Sequence, residues 1–212
     1  MILFFNLLID VLIIIFLFVL FGISHTILAS NKIKQRIVEG AGNKIAYYRL
    51  FYNFISLISF LIIYEISPKP DVVIYDLNYP WDIIILVPQV LSLFGLIWSV
   101  KHVDLKEFLG ISQIKRYLKN EYKINELDEH SELIIKGAYK YSRHPIYFFS
   151  ILFLGFRPVM DVFYLTFFFC LIVYFIIGSV YEEKKLVEKF GAEYLEYQKR
   201  VPALIPYKIF NK

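Results

Sequence analysis

Residues 143–183 read RHPIYFFSILFLGFRPVMDVFYLTFFFCLIVYFIIGSVYEE. From Ile146 to Val180 this is an apolar tract of about 35 residues, well beyond the roughly 20 that cross the hydrocarbon core of a bilayer. Arg157-Pro158 and Asp161 interrupt it, so the tract is predicted to be a helical hairpin rather than one span. Its first arm, Ile146 to Phe156, has about 11 residues, or roughly 16 Å at 1.5 Å per residue. Such an arm cannot cross an average bilayer alone, and a short or tilted arm is expected, with Arg143 and His144 drawn into the interface. Arg143 and His144 before the hairpin and Glu182-Glu183 after it then share one membrane edge. Ionisable groups are expensive to keep there, so several that converge from different segments read as a site by default. Pro158 implies a protein-lined turn, because backbone freed by proline inside lipid must find partners in neighbouring elements.

Composition extends this reading outward. Of 212 residues 58% are hydrophobic and 19% aromatic, with 21 Phe and 17 Tyr, more apolar surface than a soluble chain of this length can bury. Further spans are predicted at Ile2 to Ala29, Tyr48 to Ile66 and Ile83 to Val100. The expected fold class is an all-α integral membrane protein of about five transmembrane helices, including the C-terminal hairpin, plus a C-terminal amphipathic helix. It is expected to form a single membrane domain over 1–212. Within it lie three N-terminal spans in 1–100, a cytoplasmic connector in 101–141, and the hairpin with the cofactor-binding region in 142–212. The first segment lacks a basic leader, carries Asn6 and Asp10 and outruns an ordinary signal-peptide core, so it is expected to remain as a helix.

Orientation follows from Lys and Arg around short loops. Lys32, Lys34, Arg36 and Lys44 follow the first span, whereas Glu65 to Asp82 holds only Lys69 against four acids. The segments Lys101 to Arg143 and Lys184 to Lys212 are again basic. An N-terminus outside and a C-terminus in the cytoplasm satisfies all of these, in a cell membrane expected to be prokaryotic.

The connector is too small for a domain. It is expected to extend the third span as a helix to about Leu118, followed by a loop over Asn120 to Glu132 and a lead-in from Glu132 to Tyr141. Asp71 to Tyr79 is mildly β-prone, suited to a small external ribbon. After Val180 the apolar residues Val187, Phe190, Tyr194 and Tyr197 recur at helical spacing among charges, the stripe of a helix lying on a surface. Such a helix can lid a pocket, with Gly191 as a candidate kink.

Several function classes are disfavoured. The net charge of +4 is what positive-inside loops produce, and no nucleic-acid signal accompanies it. Cys170 is the single cysteine and reads as a small packing residue. Glu39-Gly40-Ala41-Gly42 has no strand before it and so lacks the context of a dinucleotide turn. No Cys/His cluster has metal-ligand spacing, and His25, His102 and His130 lie far apart, so no metal is expected. His25, beside Ser24, reads as a satisfied helix residue before it reads as a base.

Five motifs stand in order along the last third: Gly137-Ala138-Tyr139, Arg143-His144-Pro145-Ile146-Tyr147, Glu182-Glu183, Phe190-Gly191-Ala192-Glu193-Tyr194 and Arg200-Val201-Pro202. In this order and spacing they resemble the isoprenylcysteine carboxyl methyltransferase superfamily over about Leu133 to Pro206. His25 with Leu28-Ala29-Ser30, Tyr48-Arg49-Leu50 with Tyr52-Asn53, and Val103-Asp104-Leu105 with Gly110-Ile111 and Gln113 are more similar to the branch that contains methanethiol S-methyltransferases. The resemblance implies S-adenosylmethionine as cofactor, bound at the cytoplasmic end of the C-terminal hairpin without a Rossmann domain. It implies cofactor contacts from His144, Tyr147, Glu182, Glu183, Gly137 and Tyr139, and catalytic roles near the reacting end for Arg143 and Arg200. The implied partners are a small thiol or a lipid-like methyl acceptor and membrane lipids.

These residue types suit that ligand. A glutamate accepts both ribose hydroxyls in a charge-assisted pair, and because Glu182 and Glu183 diverge by about 100° on a helix, one of them is expected to face the pocket. Arginine stays charged throughout, so Arg143 and Arg200 orient an anionic nucleophile or lower a thiol's pKa rather than take a proton. Structural readings stand beside each of these. The two glutamates also suit an interface charge cluster with Lys184 and Lys185, His144 suits a helix cap before Pro145, the tyrosines suit an interface belt, and both arginines suit residues snorkelling to headgroups. A thiol is the favoured acceptor; carboxyl methylation of a prenylated cysteine, lipid methylation, and a non-enzymatic membrane binding or assembly role are the alternatives.

Overall fold

The computed structural model describes residues 2–124, 127 and 132–207. Its helices are α1 (Ile2–Ala29), α2 (Asn31–Ala41), α3 (Tyr48–Ile66), α4 (Trp81–Val100), α5 (Leu105–Leu109), α6 (Ile111–Leu118), α7 (Pro145–Gly155), α8 (Val162–Phe190) and α9 (Ala192–Arg200). Two short strands, β1 (Val73–Asp76) and β2 (Val159–Asp161), complete the regular structure apart from 3-10 turns such as Gly137–Lys140. The chain is an all-α membrane protein. Four helical runs among the described residues, Leu3–Ala29, Asn31–Ile66, Trp81–Val100 and Val162–Phe190, are long and apolar enough to cross a bilayer, and α7 is a shorter apolar helix of 11 residues. The short first arm of the hairpin is thus as expected.

The chain divides into two units, one comprising Met1–Val11, Lys69–Val103 and Leu133–Lys212, the other Leu12–Pro68 and Asp104–Glu132. In the first, α4 packs on α7 at a small residue: a Cβ built on Gly95 would overlap the ring of Phe149. Gln89 Nε2 donates to the Phe153 carbonyl at 3.1 Å and ties the same pair of helices farther along. The hairpin turn is more than a break. β2 pairs antiparallel with β1, Tyr75 opposite Met160 and Asp76 opposite Val159. The Pro158 carbonyl accepts from Leu77 N at 3.0 Å, so the backbone near the proline finds the protein partners that a membrane setting demands. Asp161 accepts from Tyr164 N at 2.7 Å and starts α8, and the Arg157 guanidinium lies 3.6 Å from the centre of the Tyr164 ring.

At the other end of α8, Gly191 adopts a φ of 56° that a side chain disfavours, and the chain turns into α9. The apolar stripe read from the sequence is therefore split between two helices. Its tyrosines face protein rather than a membrane surface: Tyr194 and Tyr197 are 1% and 2% exposed and pack with Val201 against Leu133, Ile135, Leu186, Val187 and Phe190.

In the second unit the third span does not run on to Leu118. Asp104 caps a new helix by accepting from Lys106 N at 2.9 Å and Glu107 N at 3.1 Å. Gly110, at a φ of 90°, then separates α5 from α6. The Phe108 carbonyl accepts from Arg49 Nε at 3.1 Å and Asn53 Nδ2 at 2.8 Å, and Gln113 Nε2 reaches the Glu107 carbonyl at 2.9 Å. The Tyr48-Arg49-Leu50, Asn53, Asp104, Gly110 and Gln113 motifs thus have structural work in joining α5 and α6 to α3. Both ring nitrogens of His25 have partners, Ser56 Oγ at 2.9 Å and the Tyr52 hydroxyl, in keeping with a satisfied helix residue.

Candidate functional site

Pro145 opens α7, and Arg143 and His144 lie in the bend before it. The segment after α9 straps this entry: Arg143 N donates to the Pro202 carbonyl at 3.0 Å, His144 N to the Ala203 carbonyl at 2.9 Å, and Ser142 Oγ to the Ala203 and Leu204 carbonyls at 3.0 and 2.8 Å. The closing Val201-Pro202 motif therefore fixes the backbone from which the Arg-His pair projects.

Arg143 uses four of its five N–H groups on the protein. Nε donates to Glu183 Oε1 at 2.7 Å and Nη2 to Glu183 Oε2 at 3.0 Å, a bidentate pair, while Nη1 donates to the Gln198 and Val201 carbonyls at 3.1 and 2.6 Å. Glu183 also faces His144 Nε2 at 3.0 Å and accepts from Gln198 Nε2 at 2.8 Å. A carboxylate only accepts, so Nε2 carries the hydrogen of the His144 contact. Four donors thus occupy the two oxygens of Glu183, whose side chain is 16% exposed.

Glu182 has the opposite surroundings. Its side chain is 49% exposed, its Oε2 accepts from the Tyr147 hydroxyl at 2.9 Å and lies 3.5 Å from His144 Nδ1, and its Oε1 has no partner among the described residues. The two glutamates diverge along the helix as expected, yet the buried His144 ring touches both, one nitrogen each. Parallel rings hold these groups. His144 stacks on Tyr147 with centroids 5.3 Å apart, and Tyr147 on Phe175 at 4.6 Å, each pair tilted by only 5°. Tyr139 lies near Glu182; burial first, and then that carboxylate, push its phenol up to about 12, so it stays neutral at physiological pH. Its backbone carbonyl accepts the Tyr197 hydroxyl, which joins α9 to the 3-10 turn.

Two expected site residues stand apart. Gly137, at a φ of 57°, packs directly under the His102 ring, which any Cβ there would overlap, so its requirement is one of packing. Arg200 is exposed at the end of α9, and its Nε makes a long 3.4 Å bond to the Glu196 carbonyl of its own helix. A neighbouring face of α7 carries Pro145, Phe148 and Phe149, which with Trp98 and Tyr141 line an open apolar cleft of about 310 Å³. No group of three or more His, Cys, Asp or Glu among the described residues is placed to hold a metal ion, and His130 lies outside those residues.

Comparison with known proteins bears on what this cluster serves. The chain is 28% identical to methanethiol S-methyltransferase 1 of Bradyrhizobium diazoefficiens over 193 residues, covering 91% of this chain and 65% of that protein. It is 27% identical to the methanethiol S-methyltransferase of Crocosphaera subtropica (89% and 71% covered) and 29% identical to that of Pseudomonas deceptionensis (94% and 72% covered). The chain is a homologue of the methanethiol S-methyltransferases. That similarity supports the methanethiol S-methyltransferase-like branch of the isoprenylcysteine methyltransferase-like family, the branch its motifs resemble. It spans about two thirds of the length of these relatives. No family model and no solved structure matches it.

Within this cluster, two contributors escaped sequence reading. Gln198 stands among the charged residues Glu196, Lys199 and Arg200, and only its i+4 spacing from Tyr194 hinted that it shares a face with that tyrosine. Phe175 is one of many phenylalanines in a span; only its spacing from Glu182, seven residues or about two turns, hinted that both share a helix face.

Proposed function

We propose that this chain is an S-adenosylmethionine-dependent membrane methyltransferase whose acceptor is a small thiol such as methanethiol. The observation that carries the reading is the asymmetry of the two glutamates. Glu183 is saturated by protein donors, whereas Glu182 offers an unpartnered, half-exposed carboxylate oxygen beside Tyr147, His144 and the neutral phenol of Tyr139. That donor and acceptor set fits the vicinal hydroxyls and amino-acid group of S-adenosylmethionine, and the names of three homologues supply the reaction class and the acceptor.

Glu182 accepts the ligand's hydroxyls, and Tyr147, pinned between His144 and Phe175, holds that carboxylate in place. Arg143 is a positioning group, since its guanidinium is spent on Glu183 and on carbonyls at the end of α9. Arg200, exposed at the end of α9, has no carboxylate partner among the described residues and is the cation we assign to an anionic acceptor. Bound S-adenosylmethionine would supply the electrophilic methyl group: the thiol sulfur forms the new S–C bond as the sulfonium C–S bond breaks, and the thiol proton passes to water. Aligning the reacting atoms accounts for much of the rate in such a displacement, up to roughly 7–11 kcal/mol, so a rigid ion-pair scaffold suits the task better than an added base.

The test is transfer of labelled methyl by detergent-purified protein offered methanethiol and a farnesylcysteine analogue in parallel. Labelled volatile thioether is expected. Label on the farnesyl compound instead would move the protein to carboxyl methylation, and no label despite donor binding would remove the acceptor assignment.

A further inference from the structure

Gln198 grips both partners of the buried ion pair. Its backbone carbonyl accepts from the cation, Arg143 Nη1, at 3.1 Å, and its side-chain amide donates to the anion, Glu183 Oε2, at 2.8 Å. The two Glu183 oxygens offer about four lone-pair sites. Arg143 fills two, His144 one and Gln198 the fourth. We propose that Gln198 is a positioning residue of the donor site, one that completes the shell of Glu183 and so leaves Glu182 alone to receive the ligand. This role rests on the reading of the Glu182 cluster as an S-adenosylmethionine site.

The residue type follows from the charges around it. Arg143 and His144 face Glu183 from the entry to α7, Glu182 adjoins it on α8, and the phenols of Tyr194 and Tyr197 approach from α9. A lysine in place of Gln198 would set a second cation beside Arg143. A carboxylate would face Glu183 at hydrogen-bond distance, where two anions do not both stay ionised. A neutral donor satisfies Glu183 without altering the charge. α9 presents it at a fixed height, because Tyr194, one turn before it on the same face, and Tyr197 are buried and the Tyr197 hydroxyl is bound to the Tyr139 carbonyl. With the amide gone, Oε2 of Glu183 keeps one unsatisfied site and competes for the donors and ligand hydroxyls that Glu182 needs.

The test uses the full chain in detergent and reads affinity for S-adenosylhomocysteine by calorimetry, relative to wild type at each pH from 5.5 to 8, with thermal unfolding in parallel. Gln198→Leu is expected to weaken binding about threefold to tenfold, the range of one net hydrogen bond, at every pH. Gln198→Glu is expected to weaken binding more at pH 8 and to recover as pH falls. There the introduced carboxyl takes a proton and donates to Glu183 in place of the amide. A purely structural contact would lower the unfolding midpoint without producing that pH-dependent recovery. Unchanged affinity in both variants, or loss in Gln198→Glu that acid does not relieve, would overturn the role of Gln198 while the donor site stands. Absence of binding by the wild type would overturn the donor-site reading and this role with it.

Discussion

Glu182 and Glu183 are neighbours in sequence with different surroundings, and under the proposed assignment their substitution separates ligand binding from folding. Glu182→Gln removes a half-exposed charge with one protein hydrogen bond. It is expected to weaken S-adenosylhomocysteine binding about tenfold, because hydrogen bonds to a charged acceptor are worth about 1.5–3 kcal/mol, while the unfolding midpoint barely moves. Glu183→Gln strands Arg143, whose side chain is 11% exposed, without its counter-charge. Breaking a buried pair from one side costs about 3–5 kcal/mol, and the partial exposure here puts the expected loss at the low end of that range. Thermal unfolding of the two variants side by side decides it, and equal destabilisation would contradict the division of labour. Charge at a membrane edge made Arg143, His144, Glu182 and Glu183 conspicuous in the sequence, whereas Tyr147 was singled out only by the family resemblance. The sequence left open which glutamate the protein itself saturates, since that depends on Gln198 and on the strap that holds Arg143 in place.

At the scale of elements, the long helices were legible because an apolar run of span length has few other uses, and the observed bounds of α1, α3 and α4 fall within a few residues of those read from sequence. The break at Asp104 and Gly110 was missed, although a cap residue and a glycine were both in view, because Ile111, Ile114 and Leu118 recur at helical spacing and read as a continuation of the preceding helix. β2 was missed because its three residues become a strand only by pairing with β1. The α4–α7 contact gives a sharp test. Gly95→Ala places a methyl against the Phe149 ring, and overpacking of this kind costs about 1–3 kcal/mol. Phe149→Leu in the same chain is expected to recover part of that loss, a non-additivity measured by a double-mutant cycle of unfolding midpoints. Asp104→Ala removes the cap of α5 and is expected to cost about 0.5–2 kcal/mol. Gly95→Ala combined with Asp104→Ala should behave additively, because the two sites share no partner.

For the whole molecule, the distribution of charge argues for one orientation, and the β1–β2 ribbon extends that argument to the C-terminal hairpin. Lys32, Lys34, Arg36 and Lys44 gather between α1 and α3, whereas Lys69 stands among Glu65, Asp71, Asp76 and Asp82 between α3 and α4. Positive charge therefore favours a cytoplasmic α1–α3 connection and an external α3–α4 connection. The β1–β2 ribbon adds a geometric link, since it pairs the α3–α4 connection with the turn of the α7–α8 hairpin and so places both on one side of the membrane. The Glu182 end of α8 then faces the other side, which we propose is the cytoplasm, where a soluble charged methyl donor is accessible. Cys170 is the single cysteine, so Cys170→Ala provides a clean background for single-cysteine labelling with a membrane-impermeant maleimide. Asp71→Cys is expected to label on intact cells, and Lys119→Cys only after the membrane is permeabilised. The reverse pattern would turn the charge argument over while leaving the ribbon intact. Labelling of Asp71→Cys from one side and of Arg157→Cys from the other would break the ribbon argument as well, because paired strands cannot be divided by a bilayer.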